Sequence, residues 1–282
     1  MIPIWQEKIT VRFADVDHSD RLTLAAAFDY FQEASIKHAG ALGVGIEAMK
    51  QTGVAWILSR ITVRIECRPR YGDKLTVQTW PRGAEKLFAV RDCAILDEAG
   101  AILARARSNW LIVDLEKRRP LRPHITMERL PLNQGIDMVS ERIINLEPRE
   151  GMTKIGERRA LYSDIDYYGH VNNARYAQWI QDSVVPELLE HAETLRLDIV
   201  YLQEIKLGET IELWHLPLQT PLTPMPVIET WEAQPGEQAS KATAFAFEGR
   251  RNGPDPTSLK QEAVFRAELY LRSDGCVDSN SI

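Results

Sequence analysis

No apolar run in the 282 residues approaches the roughly 18 that a membrane helix needs, so no membrane span is expected. The start, Met1-Ile-Pro-Ile-Trp-Gln-Glu-Lys, has no basic segment leading into an apolar one, and the expectation is a cytoplasmic protein. Cysteine is scarce. Cys67, Cys93 and Cys276 are widely spaced with no CxxC, which argues against a disulfide scaffold or a thiolate zinc site and leaves reduced thiols as the expectation. There is no G-x-S-x-G and no P-loop, and His18, His38, His124, His191 and His215 show no metal-ligand spacing. Neither a cofactor nor a metal is expected. No long basic run occurs, and 34 Lys+Arg against 40 Asp+Glu give a net charge of −6, which argues against nucleic acid as the main partner.

What is present is an ordinary globular composition, 44% apolar and 26% charged, in a chain long enough for two domains. Self-comparison reveals a repeat. Asp15-Val-Asp-His-Ser-Asp-Arg-Leu-Thr-Leu-Ala superposes without a gap on Asp164-Ile-Asp-Tyr-Tyr-Gly-His-Val-Asn-Asn-Ala at an offset of 149, so that Asp15 meets Asp164 and Asp17 meets Asp166. Helical periodicity follows in both copies: Leu24, Phe28, Phe31, Ser35 and Ala39 in the first, and Asn173, Ala177, Ile180, Val184 and Leu188 in the second. Thr23 and Asn172 hold matching places as N-caps, because a short side-chain oxygen accepts from the free N–H groups of a first turn.

Beyond each helix, Tyr71-Gly-Asp-Lys-Leu-Thr-Val matches Leu207-Gly-Glu-Thr-Ile-Glu-Leu at an offset of 136, which makes the first connection 13 residues longer. Further strands are predicted at 86–97 and 101–115, and at 225–233, 238–248 and 261–272. The proline-bearing, charged stretch from Glu116 to Gly156 reads as a connector. The predicted organisation is an α+β chain with a first domain at 1–135, a linker at 136–156, a second domain at 157–272 and a frayed tail at 273–282.

The segment Tyr162-Ser-Asp-Ile-Asp-Tyr-Tyr-Gly-His-Val-Asn-Asn-Ala-Arg-Tyr resembles the hotdog-fold thioesterase signature D-x-D-x-x-G-H-V-N-N-x-x-Y. With the tandem arrangement, the Gln32-Glu33-Ala34-Ser35 segment, Arg107-Ser-Asn-Trp-Leu-Ile-Val-Asp and Arg118-Arg119-Pro120, nearly the whole chain resembles the acyl-ACP thioesterases of plants and bacteria. The resemblance implies a double hotdog, two long helices wrapped by one extended antiparallel sheet. It also implies hydrolysis of acyl-ACP to free fatty acid and carrier thiol. The family's catalytic Asp, His and Glu fall on Asp166, His170 and Glu204. Its catalytic Asn is Tyr168 here, and the Cys once proposed as nucleophile is Ile205, so a carboxylate mechanism is the one that survives.

A carboxylate beside an apolar tunnel serves thioester hydrolysis as nucleophile or as general base, which is the role expected of Asp166. Free N–H groups at a helix start suit the developing oxyanion, and the stretch from Gly169 to Asn173 sits at such a start. Tyr168, Gly169, Val171, Asn172 and Asn173 are therefore the expected substrate-binding residues. His170 shuttles a proton near neutral pH, and Glu204 orients it or a water. In the first copy Arg21 and Arg68 stand where His170 and Glu204 do, so that unit is expected to lack a complete site and to shape the acyl tunnel.

A bland reading stands beside each assignment. Asp164 and Asp166 also fit Asx turns before a capped helix, and the recurrence of Asp164 as Asp15 marks it as structural. Arg118, Arg119 and Arg122 offer positive charge to an acidic carrier protein or to the phosphates of coenzyme A, or form a solvated surface. The expected partner is an acyl carrier protein or coenzyme A thioester, and the chain is expected to act as a monomer or homodimer. Acyl-CoA hydrolysis, a non-catalytic acyl-binding role attributable to Tyr168 and, third, a hydratase of the same fold are the competing functions.

Overall fold

In a computed structural model, residues 3–133, 145–218, 242–252 and 261–273 are described. They divide into two compact units, Met1–Ile143 and Ile144–Ile282.

Unit 1 begins with β1 (Trp5–Thr10), followed by α1 (Leu24–Ala41), α2 (Ile46–Thr52) and β2 (Val54–Ile65). It continues through β3 (Lys74–Glu85), β4 (Phe88–Leu96), β5 (Ile102–Asp114), the short β6 (Arg119–Leu121) and α3 (His124–Met127). Its strands pair antiparallel in the order β1-β3-β4-β5-β2, with β6 on β5. Unit 2 contains β7 (Thr153–Arg159), α4 (Asn173–Gln181), α5 (Pro186–Glu190), β8 (Thr194–Tyr201), β9 (Thr210–Leu218), β10 (Ala242–Asn252) and β11 (Gln261–Arg272). Their order is β7-β9-β10-β11-β8, again antiparallel and the same permutation as in unit 1.

Helix α1 forms where the sequence places it. Thr23 Oγ1 accepts the Ala26 N–H at 3.2 Å, and Leu24, Phe28, Phe31 and Ser35 are buried. It packs on β3 and β1, and each large apolar side chain it buries is worth about 1.5–3 kcal/mol. The second helix departs from expectation. Asn172 Oδ1 caps it by accepting the Ala174 N–H at 2.8 Å, but α4 ends at Gln181 after 9 residues, against 18 in α1. The apolar stripe continues to Val184 and Leu188, yet Pro186 cannot extend a helix and biases Val185 towards extended backbone. Pro186 instead starts α5.

Three further differences have local causes. Strand β7 begins inside the stretch expected to be a linker: Thr153 and Lys154 pair with His215 and Trp214. Its charged residues, Lys154, Glu157, Arg158 and Arg159, suit a sheet-edge strand, where charge guards the unpaired edge. In the segment read as a connector, Met127 and Leu130 are buried against Leu42 and Ala89. Cys93 is a free, buried thiol, whereas Cys67 is disulfide-bonded, so the expectation of reduced thiols is corrected there. The predicted strand at 225–233 and the tail from residue 274 also lie outside the described residues. Among the described residues no helix is long and apolar enough to cross a membrane.

Candidate active site

After β7, a 3-10 turn at Tyr162–Asp164 leads into a tight loop. Asp164 Oδ2 accepts the Leu161 N–H at 2.8 Å, and the Asp164 carbonyl accepts the Asn172 N–H at 2.8 Å, closing the loop before α4. Inside it the Asp166 N–H donates to His170 O at 2.9 Å, and the Gly169 N–H donates to Asp166 O at 3.0 Å. Gly169 sits at φ 82, the left-handed region that glycine enters without steric cost.

The Asp166 carboxylate is half-engaged. Its Oδ1 accepts the Tyr168 N–H at 2.8 Å, so the Asx turn of the bland reading is real. Its other oxygen makes no hydrogen bond, and no cationic side chain pairs with it, among the described residues. An acceptor in a half-buried position, held by one N–H and open on one side, retains the lone pairs that attack on carbon or removal of a proton requires.

His170 and Glu204 are brought together by main-chain pairing. His170 is bridged to Lys206, and the Val171 N–H donates to Ile205 O at 2.8 Å, which lays segment 204–206 beside the loop. His170 Nε2 then stands 2.9 Å from Glu204 Oε2. Glu204 is 55% exposed and His170 31%, so the pair is an orienting contact of modest strength. Val171 is buried, and its N–H is taken by Ile205; the Asn172 N–H and side chain are both used in closing and capping the loop. Of the N–H groups from Gly169 to Asn173, those of His170 and Asn173 are not engaged among the described residues. Tyr168 is exposed beside them.

Two neighbours escaped the sequence reading. Tyr176, the last residue of the quoted signature, packs edge-on against Tyr201 and Phe265. Burial, and then the negative charges of Asp166, Glu204 and Glu209, push its hydroxyl well above the usual tyrosine range. Arg251 on β10 reaches Glu209 Oε2 at 3.3 Å, Glu204 O at 3.4 Å and the Gln203 side chain, bracing the segment that carries Glu204. The signature held a signal for Tyr176; nothing in the sequence marked Arg251.

Unit 1 repeats the frame with different chemistry. The Asp17 N–H donates to Arg21 O at 2.9 Å, the Asp20 N–H to Asp17 O at 3.0 Å, the Leu22 N–H to Pro69 O at 2.8 Å and the Thr23 N–H to Asp15 O at 2.9 Å. These match the unit 2 bonds at offsets 149 and 136. Yet Arg68, in the place of Glu204, is buried and ion-paired with Asp17. Arg118, Arg119 and Arg122 are exposed at and beside β6 of unit 1.

Comparison with known proteins converges on one family. The model of the acyl-ACP thioesterase N-terminal domain matches residues 3–128, and that of the C-terminal domain matches residues 150–246. The acyl-[acyl-carrier-protein] hydrolase FATB2 of Cuphea viscosissima is 25% identical over 221 residues, 71% of this chain and 52% of that protein. A palmitoyl-acyl carrier protein thioesterase of Gossypium hirsutum is 27% identical over 214 residues, again 71% and 52%. The chain thus spans about half the length of these chloroplastic relatives. Among solved structures, an acyl-ACP thioesterase from Bacteroides thetaiotaomicron superposes with a TM-score of 0.75 at 24% identity, covering 95% of this chain and 98% of that one. The 12:0-ACP thioesterase of Umbellularia californica gives 0.70 at 21%, covering 96% and 94%. At these identities the structural likeness is one of fold, the hotdog. From the two family models that between them span most of its length, the chain belongs to the acyl-ACP thioesterase family.

Proposed function

We propose that this protein hydrolyses the thioester of fatty acyl-ACP, with Asp166 as the group that acts on the carbonyl carbon or on the attacking water. The observation that carries this reading is the half-engaged Asp166 carboxylate beside the His170–Glu204 pair, set in a chain of a thioesterase family. In the general-base form, Asp166 takes a proton from water as the water oxygen bonds to the carbonyl carbon. The N–H groups of His170 and Asn173 stabilise the resulting oxyanion. Collapse breaks the carbon–sulfur bond, and the abstracted proton reaches the leaving thiolate, which yields free fatty acid and carrier thiol. His170, oriented by Glu204, relays that proton.

Unit 1 has no part in the chemistry, because Asp17 is neutralised by Arg68. Exposed Arg118, Arg119 and Arg122 are the proposed dock for an acidic carrier. Reversing Arg118 and Arg119 to glutamate then raises KM for the carrier substrate with kcat nearly fixed, and an unchanged KM removes them from the reading.

The deciding experiment is thiol release from matched acyl-ACP and acyl-CoA panels, C8 to C18, with wild type, Asp166→Ala and Tyr168→Asn. Turnover that prefers acyl-ACP and is lost in Asp166→Ala is the expected result. Preference for coenzyme A reassigns the carrier. A silent wild type with an active Tyr168→Asn refutes hydrolysis by the natural protein and leaves acyl binding.

A further inference from the structure

The segment from Leu202 to Glu209, between β8 and β9, is tied down on both sides of Glu204. The Leu202 and Gln203 N–H groups donate to Val264 O at 3.0 and 3.1 Å, Ile205 O accepts the Val171 N–H at 2.8 Å, and the Gly208 N–H donates to Ala160 O at 2.9 Å. Glu204 makes no main-chain pairing of this kind among the described residues; its carbonyl accepts from Arg251 Nη1 at 3.4 Å. Its side chain is 55% exposed, and a long carboxylate side chain facing water has other rotamers open to it. The 2.9 Å contact with His170 Nε2 therefore depends on where the main chain of Glu204 is held.

Arg251 grips that segment at three residues. Besides Glu204 O, its Nη1 lies 3.4 and 3.3 Å from the two carboxylate oxygens of Glu209, and its Nη2 donates to Gln203 Oε1. Glu209 Oε2 in turn accepts the Lys206 N–H at 2.9 Å, and Gln203 Nε2 donates to Glu262 Oε2 at 3.2 Å. Glu262 is the residue paired with Arg251 across β10 and β11, so the ring of contacts closes on the sheet. A single partly exposed ion pair contributes little, whereas a planar fork engaged by several groups of one turn fixes geometry. Unit 1 supplies a control. Asp73 accepts the Arg70 N–H at 2.8 Å as Glu209 accepts that of Lys206, but no cationic side chain pairs with Asp73 among the described residues. Leu96 pairs with Thr76 as Arg250 pairs with Glu212, which puts Asp97 where unit 2 has Arg251; Asp97 accepts the Ala101 N–H of its own turn. The arginine belongs to the unit in which an acid faces a histidine.

We propose that Arg251 is a positioning residue of the candidate site, which acts by holding Glu204 against His170. Its effect on turnover rests on the proposed hydrolysis, whereas the contact it controls is read without turnover. Loss of the fork frees the Glu204 main chain, the carboxylate leaves His170 for water, and the imidazole that relays the proton loses its orientation.

The test uses the full chain as wild type, Arg251→Met, Arg251→Lys, Glu204→Ala and Glu204→Ala/Arg251→Met, with two readouts: the imidazole NMR signals of His170 at one pH, and thiol release from acyl-ACP. Arg251→Met moves the His170 signals towards those of Glu204→Ala, and in the Glu204→Ala background it moves them no further. It lowers kcat about tenfold, by no more than Glu204→Ala does, with KM changed less than about twofold, and the double variant is no slower than Glu204→Ala alone. Arg251→Lys keeps the charge beside Glu209 but loses the fork, and falls about threefold; it carries the test if Arg251→Met does not fold. His170 signals that stay at their wild-type positions in Arg251→Met overturn the proposal, as do signals that move equally with and without the Glu204 carboxylate. Additive losses of kcat overturn it too, because a brace that served only the fold would slow both backgrounds alike. Unchanged kcat in Arg251→Met, with turnover abolished by Asp166→Ala, removes Arg251 and leaves the hydrolysis standing. A wild type without turnover refutes the hydrolysis, and the His170 signals then decide the positioning alone.

Discussion

Asp17 and Asp166 occupy one position in two copies of the same loop, and their replacement has opposite consequences. The Arg68 side chain is 2% exposed and that of Asp17 16%, so Asp17→Ala leaves a buried guanidinium without its carboxylate. Breaking a buried pair by removing one partner costs about 3–5 kcal/mol. Leu22 O at 3.0 Å and Arg21 O at 3.4 Å still accept from Arg68, which places this case at the low end, about 3 kcal/mol. Asp166 accepts one N–H, that of exposed Tyr168, and pairs with no cation among the described residues, so Asp166→Ala costs about 1 kcal/mol or less. For activity the order reverses: loss of a general base lowers kcat by about 10²- to 10⁴-fold, while Asp17→Ala leaves kcat per folded molecule near wild type. Urea melts and thiol release on the same preparations read both effects. Asp17→Ala with Arg68→Met removes the whole pair and recovers most of the lost stability. Equal stability losses, or equal losses of turnover, refute this account of the two loops.

Glu204→Gln keeps a hydrogen-bonding side chain beside His170 but removes its charge. At 55% exposure of Glu204 the expected fall in kcat is about tenfold, with Glu204→Gln/His170→Gln no slower than His170→Gln alone; additive losses show that the two act separately. Burial would raise the Asp15 pKa, but hydrogen bonds from Arg12 and from the Tyr30 hydroxyl prevail and hold it below the usual value. A depressed carboxylate contributes stability above its unfolded pKa, about 3.9, and loses that contribution as pH falls through the folded value. Asp15→Asn therefore melts below wild type at pH 7, with the gap closing under acid; a gap constant from pH 7 to pH 3 contradicts this. A Cβ on Gly249 falls 2.2 Å from the Phe265 ring, which itself packs on Tyr176. Gly249→Ala is expected to cost about 1–3 kcal/mol in thermal unfolding, and a wild-type melting curve excludes the clash.

The backbone of the site was legible because it is a repeat. Pairs of residues at offsets 149 and 136 make the same main-chain bonds in both units, down to the Arg70 and Lys206 N–H groups donating to Asp73 and Glu209. Caps at Thr23 and Asn172 were legible for the same reason: a short oxygen before an apolar stripe has few other uses. Side-chain pairing was less so. Alignment shows that Arg68 replaces Glu204, but not that its guanidinium turns inward onto Asp17, which depends on packing between residues 51 apart. Periodicity carried the second helix too far because Val184 and Leu188 keep the apolar stripe while Pro186 ends the hydrogen-bond ladder. The Asx-turn and functional readings of Asp166 looked like alternatives in sequence, yet the turn takes only one oxygen of the carboxylate and leaves the other for the proposed role.

The two offsets also record where length has changed. Everything that frames the loop, from Arg12 to Thr23 and from Arg68 to Asp73, has its counterpart in unit 2 without insertion, and the 13 extra residues of unit 1 fall between those anchors. That interval holds α1, α2 and β2, each longer than its counterpart α4, α5 or β8. Insertions and deletions have thus been absorbed by the helix and the strand behind it while the loop kept its wiring. Grafting between units has a natural boundary there: a helix of another length, inserted between a fixed cap and a fixed returning strand, remodels a unit's interior without re-registering the residues of the loop.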